Sequence, residues 1–452
     1  MTTSLHPDRP DGRSSLAALL SFVLPGLGQA YNGQGLLAAA LVGPILALVV
    51  VFGLALLARG SQLLAAMLDI RVLVALIVLD VALLGWRLVA ILQAHDWRER
   101  LGPRRWTTYA TGALVVITLG MHVVPAWYAT KAIDTLNSVS LGGSPSRSGG
   151  GLPGFSALPE PSDQPDLGLG ERINVLLVGV DAAPGRTTAL TDTMLVVSLD
   201  PSSGRTAMVS IPRDLYGVPL PDGAPFNQKL NALMSTAAAD PATYPLGGVG
   251  TLKATVGELL GVEIHYFAAV NLLGFKQAID AVGGVDVDVE RAVQDPSYID
   301  EFGAHSGFFI QPGRHHMDGH VALAYARSRM GAGDSDFTRA DRQQQLLAAL
   351  RAQLTAGNLM LSLPGLLDAV KNTITTDIPS AQLPAIAQAV QDADTGRLER
   401  VVLQPPQYMA VDPDSPAGYI LIPDLVAIHA LGEQLLGEGD APSATPSVSP
   451  AP

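Results

Sequence analysis

The segment YARSR, residues 325–329, sets two arginines two positions apart, Arg327 and Arg329. On a continuous helix their side chains would diverge by about 200°; on an extended segment they would share one face. Two guanidiniums on one face repel each other unless an anion lies between them. The next polar segment, SDFTRADRQ, adds Asp336, Arg339, Arg342 and Gln343. Arg339 and Arg342 are three apart and Arg339 and Gln343 four apart, so one helical face can carry them. Arg213, in SIPRDL, follows an apolar strand-like run, a position where α/β folds commonly build sites. Several arginines suit a phosphate or pyrophosphate better than a neutral substrate, because the charged planar fork matches the oxygens.

Carboxylates supply the other half of that chemistry. The stretch LLVGVDAAPGRTTALTDTMLVVSLD, residues 176–200, holds Asp181, Arg186 and Asp192 in a loop between two strand-like runs. Asp181 ends one run and Asp192 begins the next, so antiparallel pairing would bring the two carboxylates close. Two oxygen ligands with room for water and phosphate oxygens suit Mg²⁺, with Mn²⁺ as an alternative. Such an ion would offset phosphate charge and polarise the P–O bond. Each residue alone also has an ordinary explanation: an Asp at a strand end is commonly a turn or cap residue, and a lone Arg a surface ion-pair partner.

Other motif-like segments do not complete a site. RHHMDGH, residues 314–320, places His316 and His320 four apart, but no Glu completes a zinc motif. GGVGTLKAT lacks the Gly-Lys-Ser/Thr element of a phosphate loop, GLGLGE has no preceding strand, and AHSGF is not a nucleophile elbow.

The elements that must position these residues lie in residues 171–437. INVLLVGV, TMLVVSLD and RTAMVSIP read as strands, and so do EIHYFAAV and VDVDVE. GTLKATVGELLG and LLGFKQAIDAVGG read as helices stopped by glycine, DGHVALAYA as a helix capped by Asp318, and FTRADRQQQLLAALRAQL as a longer amphipathic helix. Interleaving at this size indicates an α/β fold or an α-β-α sandwich, here with a mixed sheet.

The chain has 452 residues, 48% apolar and only 15% charged. The apolar excess sits in the first third. Three segments have the length to span a bilayer, about residues 35–58, 72–92 and 108–129. Asp80, deep in the second, is costly at mid-membrane and is expected to face another helix, while Arg87 lies near an end and can snorkel. The loop HDWRERLGPRRW carries four arginines against two acids, and the Arg-containing head HPDRPDGR also belongs inside. Three spans then place the chain after residue 130 outside the cytoplasm, in a multi-pass protein of the plasma membrane. Residues 1–34 read as a cytoplasmic N-terminus with a broken half-helix or re-entrant segment at PGLG, and 35–130 as the membrane region. Residues 131–170 read as a flexible Gly/Ser/Pro linker, 171–437 as the α/β domain that carries the candidate site and 438–452 as a disordered tail. A net charge of −13 argues against nucleic acid as a partner, and the absence of cysteine excludes disulfides and thiolate metal sites.

The ordered set GVDAAPGR…TDTM, SIPRDL, KLNALM, LGVEIHYFAAVNLLGFKQAIDAVGGVDVDV, MDGHVALAYARSR and DFTRADRQ resembles the LytR-CpsA-Psr family over about residues 172–356. TITTDIPSAQL and GYILIPD extend the likeness to about residue 435. The alanine-, arginine- and glycine-rich composition, low in lysine, resembles members from high-GC Gram-positive bacteria. The resemblance implies an extracytoplasmic, Mg²⁺-dependent phosphotransferase. Such enzymes move a glycopolymer from a polyprenyl-pyrophosphate carrier to a peptidoglycan hydroxyl, with the lipid chain in an apolar tunnel between sheet and helices. By motif position, Asp181 and Asp192 would hold the metal. Arg213, Arg327, Arg329 and Arg339 would hold the pyrophosphate, with Arg342 beside them and Gln343 in support, and Asp336 would be the base. Many members carry an arginine directly after the first aspartate; here Ala182 and Ala183 follow, which leaves Arg186 as the residue to reach the phosphate. LPGLGQAYNGQG resembles an element of small two-span membrane domains. Two other readings share these residues: a polyprenyl-pyrophosphate pyrophosphatase, with water as the acceptor, and a non-catalytic polyprenyl-phosphate-binding or sensory membrane protein.

Overall fold

The structure is a computed structural model that describes residues 13–99, 105–140, 171–181, 190–300, 303–331, 333–354, 374–379, 381–392 and 397–437. Two units divide between Asp134 and Thr135.

The first unit is helical: α1 (Arg13–Val23), α2 (Leu27–Tyr31), α3 (Gly35–Ala66), α4 (Ile70–Glu99) and all but the last residues of α5 (Arg105–Ser140). Three stretches are long and apolar enough to cross a membrane, Gly35–Ala55, Ile70–Asp96 and Trp106–Asn137. The last helix runs to Ser140, into the range expected to be linker. PGLG is a sharp turn between α1 and α2, with Gly26 at φ 105°, a conformation glycine adopts without strain. The turn sends Gln29 inward, where it is fully buried. Its amide donates to the Ala90 carbonyl at 2.8 Å and to Gln93 Oε1 at 2.9 Å, and it accepts from Ser21 Oγ at 3.0 Å. Asn32 donates to the Ala94 carbonyl at 2.9 Å, so the polar residues of GLGQAYNGQ pin α2 to α4. Asp80 meets His122 Nδ1 on α5 at 2.7 Å. A partner on a facing helix is what an ionisable group among apolar residues requires.

The second unit is α/β. It begins with β1 (Ile173–Asp181), β2 (Leu190–Leu199), β3 (Thr206–Ile211), β4 (Tyr216–Pro219) and β5 (Pro225–Lys229). Then come α6 (Leu233–Ala239), α7 (Gly247–Leu260), β6 (Tyr266–Asn271), α8 (Leu272–Ala281), β7 (Val285–Val289), β8 (Val293–Asp295), β9 (Phe308–Ile310) and β10 (Gly313–Met317). It continues with α9 (Gly319–Arg327), α10 (Asp336–Gln353), β11 (Ile374–Thr376), β12 (Leu398–Val402), β13 (Met409–Ser415) and β14 (Gly418–Pro423); further helices cover Leu383–Asp392 and Leu425–Leu436.

Six strands form one sheet in the order β11-β6-β1-β2-β3-β12. It is mixed, because β1 pairs antiparallel with β2 and parallel with β6, and β3 pairs parallel with β12. Alternation along β1 sorts its two faces. Leu176, Val178 and Val180 enter a core with Leu252, Val256 and Leu259 of α7 and Ile428 and Leu431 of the C-terminal helix. Leu177 points the other way, to a cavity bounded by α8, α9 and α10. Local signals fix the helix ends that matter for the site. Asp318 caps α9 by accepting from the Val321 amide at 2.9 Å, and Ser335 caps α10 in a reciprocal box with Thr338.

Candidate active site

The sheet and three helices enclose a cavity of about 240 Å³. Its walls are apolar: Leu177 and Gly179 from β1, Leu195 from β2, Leu272 and Phe275 from α8, Leu323 from α9 and Leu347 from α10. Its polar lining comes from Asp192, Asn271, Arg327, Arg329, Arg339 and Gln343. An apolar interior combined with three guanidiniums suits a ligand with an oily body and an anionic head.

A β-bulge places Asp192. Thr193 pairs with Gly179 and Thr191 with Val180, so Asp192 is the extra residue between them. A bulge leaves its residue unpaired and re-aims the side chain. Gly179 permits the close approach, since a Cβ there would come within 2.8 Å of Thr193 Cβ. The Asp192 carboxylate accepts from Arg213 Nη1 at 2.6 Å, and its backbone carbonyl from Arg339 Nη2 at 3.2 Å.

Asp336, the first residue of α10, lies between two arginines, with Oδ1 3.1 Å from Arg339 Nη1 and Oδ2 3.4 Å from Arg213 Nε. Arg213 Nε is buried without a hydrogen-bond partner, so the cluster keeps donor capacity in hand. Burial lowers the Arg213 guanidinium, yet Asp336, Asp192 and Asp214 together outweigh it and hold the pKa above the ordinary value. Arg339 goes the other way. Burial pulls its pKa down against the attraction of Asp336 and Asp192, and the charges of Arg213 and Arg329 add to the fall. An arginine stays protonated at neutral pH regardless, so a crowded set of guanidiniums, with Arg339 buried among them, gains most from a polyanion.

The two arginines of YARSR reach the cavity by a change of conformation between them. Arg327 is the last residue of α9, and Ser328 turns extended at φ −57°, ψ 136°. The exit is held by two buried carboxylates. Asp295 accepts from the amides of Arg329 at 3.1 Å and Met330 at 3.3 Å. Asp334 takes Arg342 Nη1 at 2.7 Å, while Arg342 Nη2 donates to the Ser328 carbonyl. Arg327 donates to the Ile299 carbonyl at 3.3 Å and lies over the Tyr298 ring. Gln343, one turn along α10 from Arg339, donates to the Ala326 carbonyl at 3.2 Å.

Among the sequence candidates, Asp192, Arg327, Arg329, Arg339 and Gln343 thus border one cavity, with Arg213 and Asp336 adjoining it. Arg342 is not brought to it. It borders a separate small polar pocket with Glu290, Tyr325 and Asp341, because its place on α10 turns it toward Asp334. Asp181 closes β1 opposite Leu190, but its side chain, and the whole of Arg186, lie outside the described residues. His316 sits on a strand rather than a helix, bonded to Asp286 at 2.9 Å and the Gly283 carbonyl at 3.0 Å. Sequence reasoning passed over Asp295, Asp334 and the pair Asp214–Lys229, 2.8 Å apart. Only adjacency to the arginine motifs in GDSDF and SIPRDL could have signalled Asp334 and Asp214.

A divalent ion can be weighed only at Asp192. It is a hard oxygen donor, about one-third exposed, beside the arginines, and thus of the right type for an ion that takes one or two carboxylates and completes its shell with water and phosphate. Among the described residues no group of three His, Asp or Glu stands ready to hold a metal without such help.

The LytR_cpsA_psr family model matches residues 160–413, more than half of the chain. A polyisoprenyl-teichoic acid–peptidoglycan teichoic acid transferase TagU from Bacillus mycoides is 32% identical over 213 residues, 47% of this chain and 62% of that protein. TagV from Bacillus subtilis, which carries the same activity name, is 31% identical over 216 residues, 48% of this chain and 52% of that protein. The chain therefore spans less than two thirds of the length of these relatives. The crystal structure of B. subtilis TagV aligns over 60% of this chain and 99% of that one, with 26% identity and a TM-score of 0.47. The family match runs from ahead of β1 into β13, taking in the sheet and the whole cavity, and this chain belongs to the LytR-CpsA-Psr family.

Proposed function

We propose that this protein is an extracytoplasmic phosphotransferase that moves a glycopolymer from a polyprenyl-pyrophosphate carrier to a peptidoglycan hydroxyl. The observation that carries the proposal is the cavity: aliphatic inside, with Arg327, Arg329 and Arg339 on its polar side and Arg213 adjoining. That division fits a lipid pyrophosphate, with the prenyl chain against Leu177, Leu195, Phe275 and Leu347 and the phosphates among the guanidiniums. The relatives' names, which specify polyisoprenyl-linked teichoic acid and peptidoglycan, support the same donor and acceptor classes.

In this reading the acceptor hydroxyl oxygen attacks the phosphorus that bears the sugar. A new P–O bond forms, and the bond to the polyprenyl phosphate breaks. The hydroxyl proton passes to the Asp336 carboxylate, which the ion pairs to Arg213 and Arg339 hold in place. Charge gathers on the departing polyprenyl phosphate, where Arg327, Arg329 and Arg339 stabilise it; positioning and electrostatics supply most of the acceleration in phosphoryl transfer. Asp192, with Asp181, would hold Mg²⁺ or Mn²⁺, whose contribution would be to neutralise phosphate charge. The three apolar helices would anchor the protein beside its lipid donor as a multi-pass unit with the N-terminus in the cytoplasm.

The test uses the full chain in lipid nanodiscs with a lipid-pyrophosphate-linked glycan and peptidoglycan. Arg329→Ala should cut release of polyprenyl phosphate at least about 100-fold, the scale of losing one transition-state donor. Undiminished release would overturn the site. Release that does not depend on peptidoglycan would establish a pyrophosphatase instead, and tight binding without release a sensor.

A further inference from the structure

A second group of polar residues, none of them among those that line the cavity, adjoins the cluster through Arg213. Arg213 bridges the two: Nη1 holds Asp192 at 2.6 Å, while Nε lies 3.7 Å from Asp214. The Asp214 carboxylate is mostly buried and meets Lys229 Nζ at 2.8 Å. Strand β14 is fixed against this point, because the Leu421 amide donates to the Asp214 carbonyl at 3.0 Å and Leu421 bridges Leu215 in parallel register. Leu421 is buried, and two residues before it on the same strand stands Tyr419, 44% exposed. The Tyr419 phenol feels burial first, then Asp214 and Asp336, with Lys229 opposing, and its pKa is raised. An exposed ring thus stands on the strand that docks against the Asp214 backbone, within electrostatic reach of Asp214, Lys229 and Asp336.

In an in-line displacement the attacking and leaving oxygens lie on opposite sides of phosphorus. If the leaving polyprenyl phosphate occupies the cavity, the nucleophile must enter past Arg213 and Asp336, the side that Asp214, Lys229 and Tyr419 border. We propose that these three residues form the acceptor subsite, in which a pyranose ring of the acceptor glycan stacks on Tyr419 while its hydroxyl and acetamido groups bond Asp214 and Lys229. This rests on the transfer reading above. The chemistry suits a neutral or weakly charged sugar. The C–H face of a pyranose is apolar and packs on an aromatic ring, which has an apolar body and a polar handle. Lys229 has three donors and Asp214 two acceptor oxygens, so their mutual pair leaves capacity for hydroxyls.

The experiment measures transfer by the full chain in nanodiscs to a soluble, uncrosslinked peptidoglycan tetrasaccharide, with the lipid-linked donor saturating. Tyr419→Ala should raise KM for the tetrasaccharide about tenfold while kcat changes less than about twofold, and Tyr419→Phe and Tyr419→Trp should stay near wild type. An unchanged KM in Tyr419→Ala overturns the subsite. So does a collapse of kcat in Tyr419→Phe, which would give the hydroxyl a part in proton transfer. Saturation-transfer NMR of the same tetrasaccharide, with no donor present, separates the two readings. Binding by the wild type that weakens in Tyr419→Ala supports the subsite even where no transfer is detected. A wild type that transfers but shows no such contact overturns the subsite alone.

Discussion

The arginines of this site divide by what holds them. Arg327, Arg329 and Arg339 border the cavity, and Arg213 ties Asp192 to Asp336 and Asp214. Arg342, drawn from the same helix as Arg339, is buried against Asp334, Tyr325 and the Ser328 carbonyl, so it acts on the site through backbone. Arg342→Met should therefore behave unlike Arg329→Ala. Breaking a buried ion pair strands Asp334, at a cost of about 3 kcal/mol, so Arg342→Met should lower the melting temperature as well as donor affinity. Arg342→Met with Asp334→Leu should recover stability but not full affinity, because Ser328 and Arg329 lose their support. Equal melting temperatures for Arg342→Met and wild type would show that the pair holds nothing. That YARSR and DFTRADRQ belong to one arginine-rich site was legible from residue type and spacing alone. The division between Arg339 and Arg342 was not, because residues three apart on a helix point some 60° apart and only the packed neighbours decide which enters a cavity.

At the level of elements, the strands and helices around the site follow from local signals. Apolar runs wrote β1 and β2, alternation wrote β7, glycine ended α7, and Asp318 and Ser335 started α9 and α10. The bulge at Asp192 was not written there, since it arises from register between two strands separated by a loop. The opposite end of β1 shows how the sheet is fastened. Arg172 donates to Ser198 Oγ at 3.1 Å, to Asp200 Oδ2 at 3.0 Å and to the Leu435 carbonyl at 3.0 Å, joining β1, β2 and the C-terminal helix. Burial would raise the Asp200 carboxyl, but hydrogen bonds from Ser202 and Ser203 and the Arg172 charge hold it at about 2, below its ordinary 3.8. A depressed acid stabilises the fold above its unfolded pKa and loses that contribution as pH falls through its folded value. Screened by solvent at this partly exposed site, the contribution is on the order of 1 kcal/mol, present above pH about 4 and lost toward pH 2. Asp200→Asn should thus lower the melting temperature at pH 6, and its gap to wild type should close as the pH approaches 2. A gap independent of pH would assign the loss to packing.

For the whole molecule, an apolar helical unit precedes an α/β unit that holds a largely apolar cavity of about 240 Å³. If the basic loop at residues 95–106 is cytoplasmic, three spans carry the α/β unit across the membrane. A reporter active only outside the cytoplasm, fused after residue 170, should be active, and cytoplasmic behaviour would remove both the topology and the wall substrate. The sequence by itself determined the division into an apolar first third and an α/β remainder, the strand and helix set, and the arginine-rich character of the site. These are local properties of hydrophobic run length, periodicity and charge. It also required a partner for Asp80, but named none; His122 lies 42 positions away, on the next long helix. Only the tertiary structure decided that pairing, the inward turn of Gln29, the bulged placement of Asp192, the turning of Arg342 away from the cavity, and the docking of the Tyr419 strand beside Asp214. Each joins residues far apart in the chain, and their proximity is set by packing and register, which no local pattern encodes.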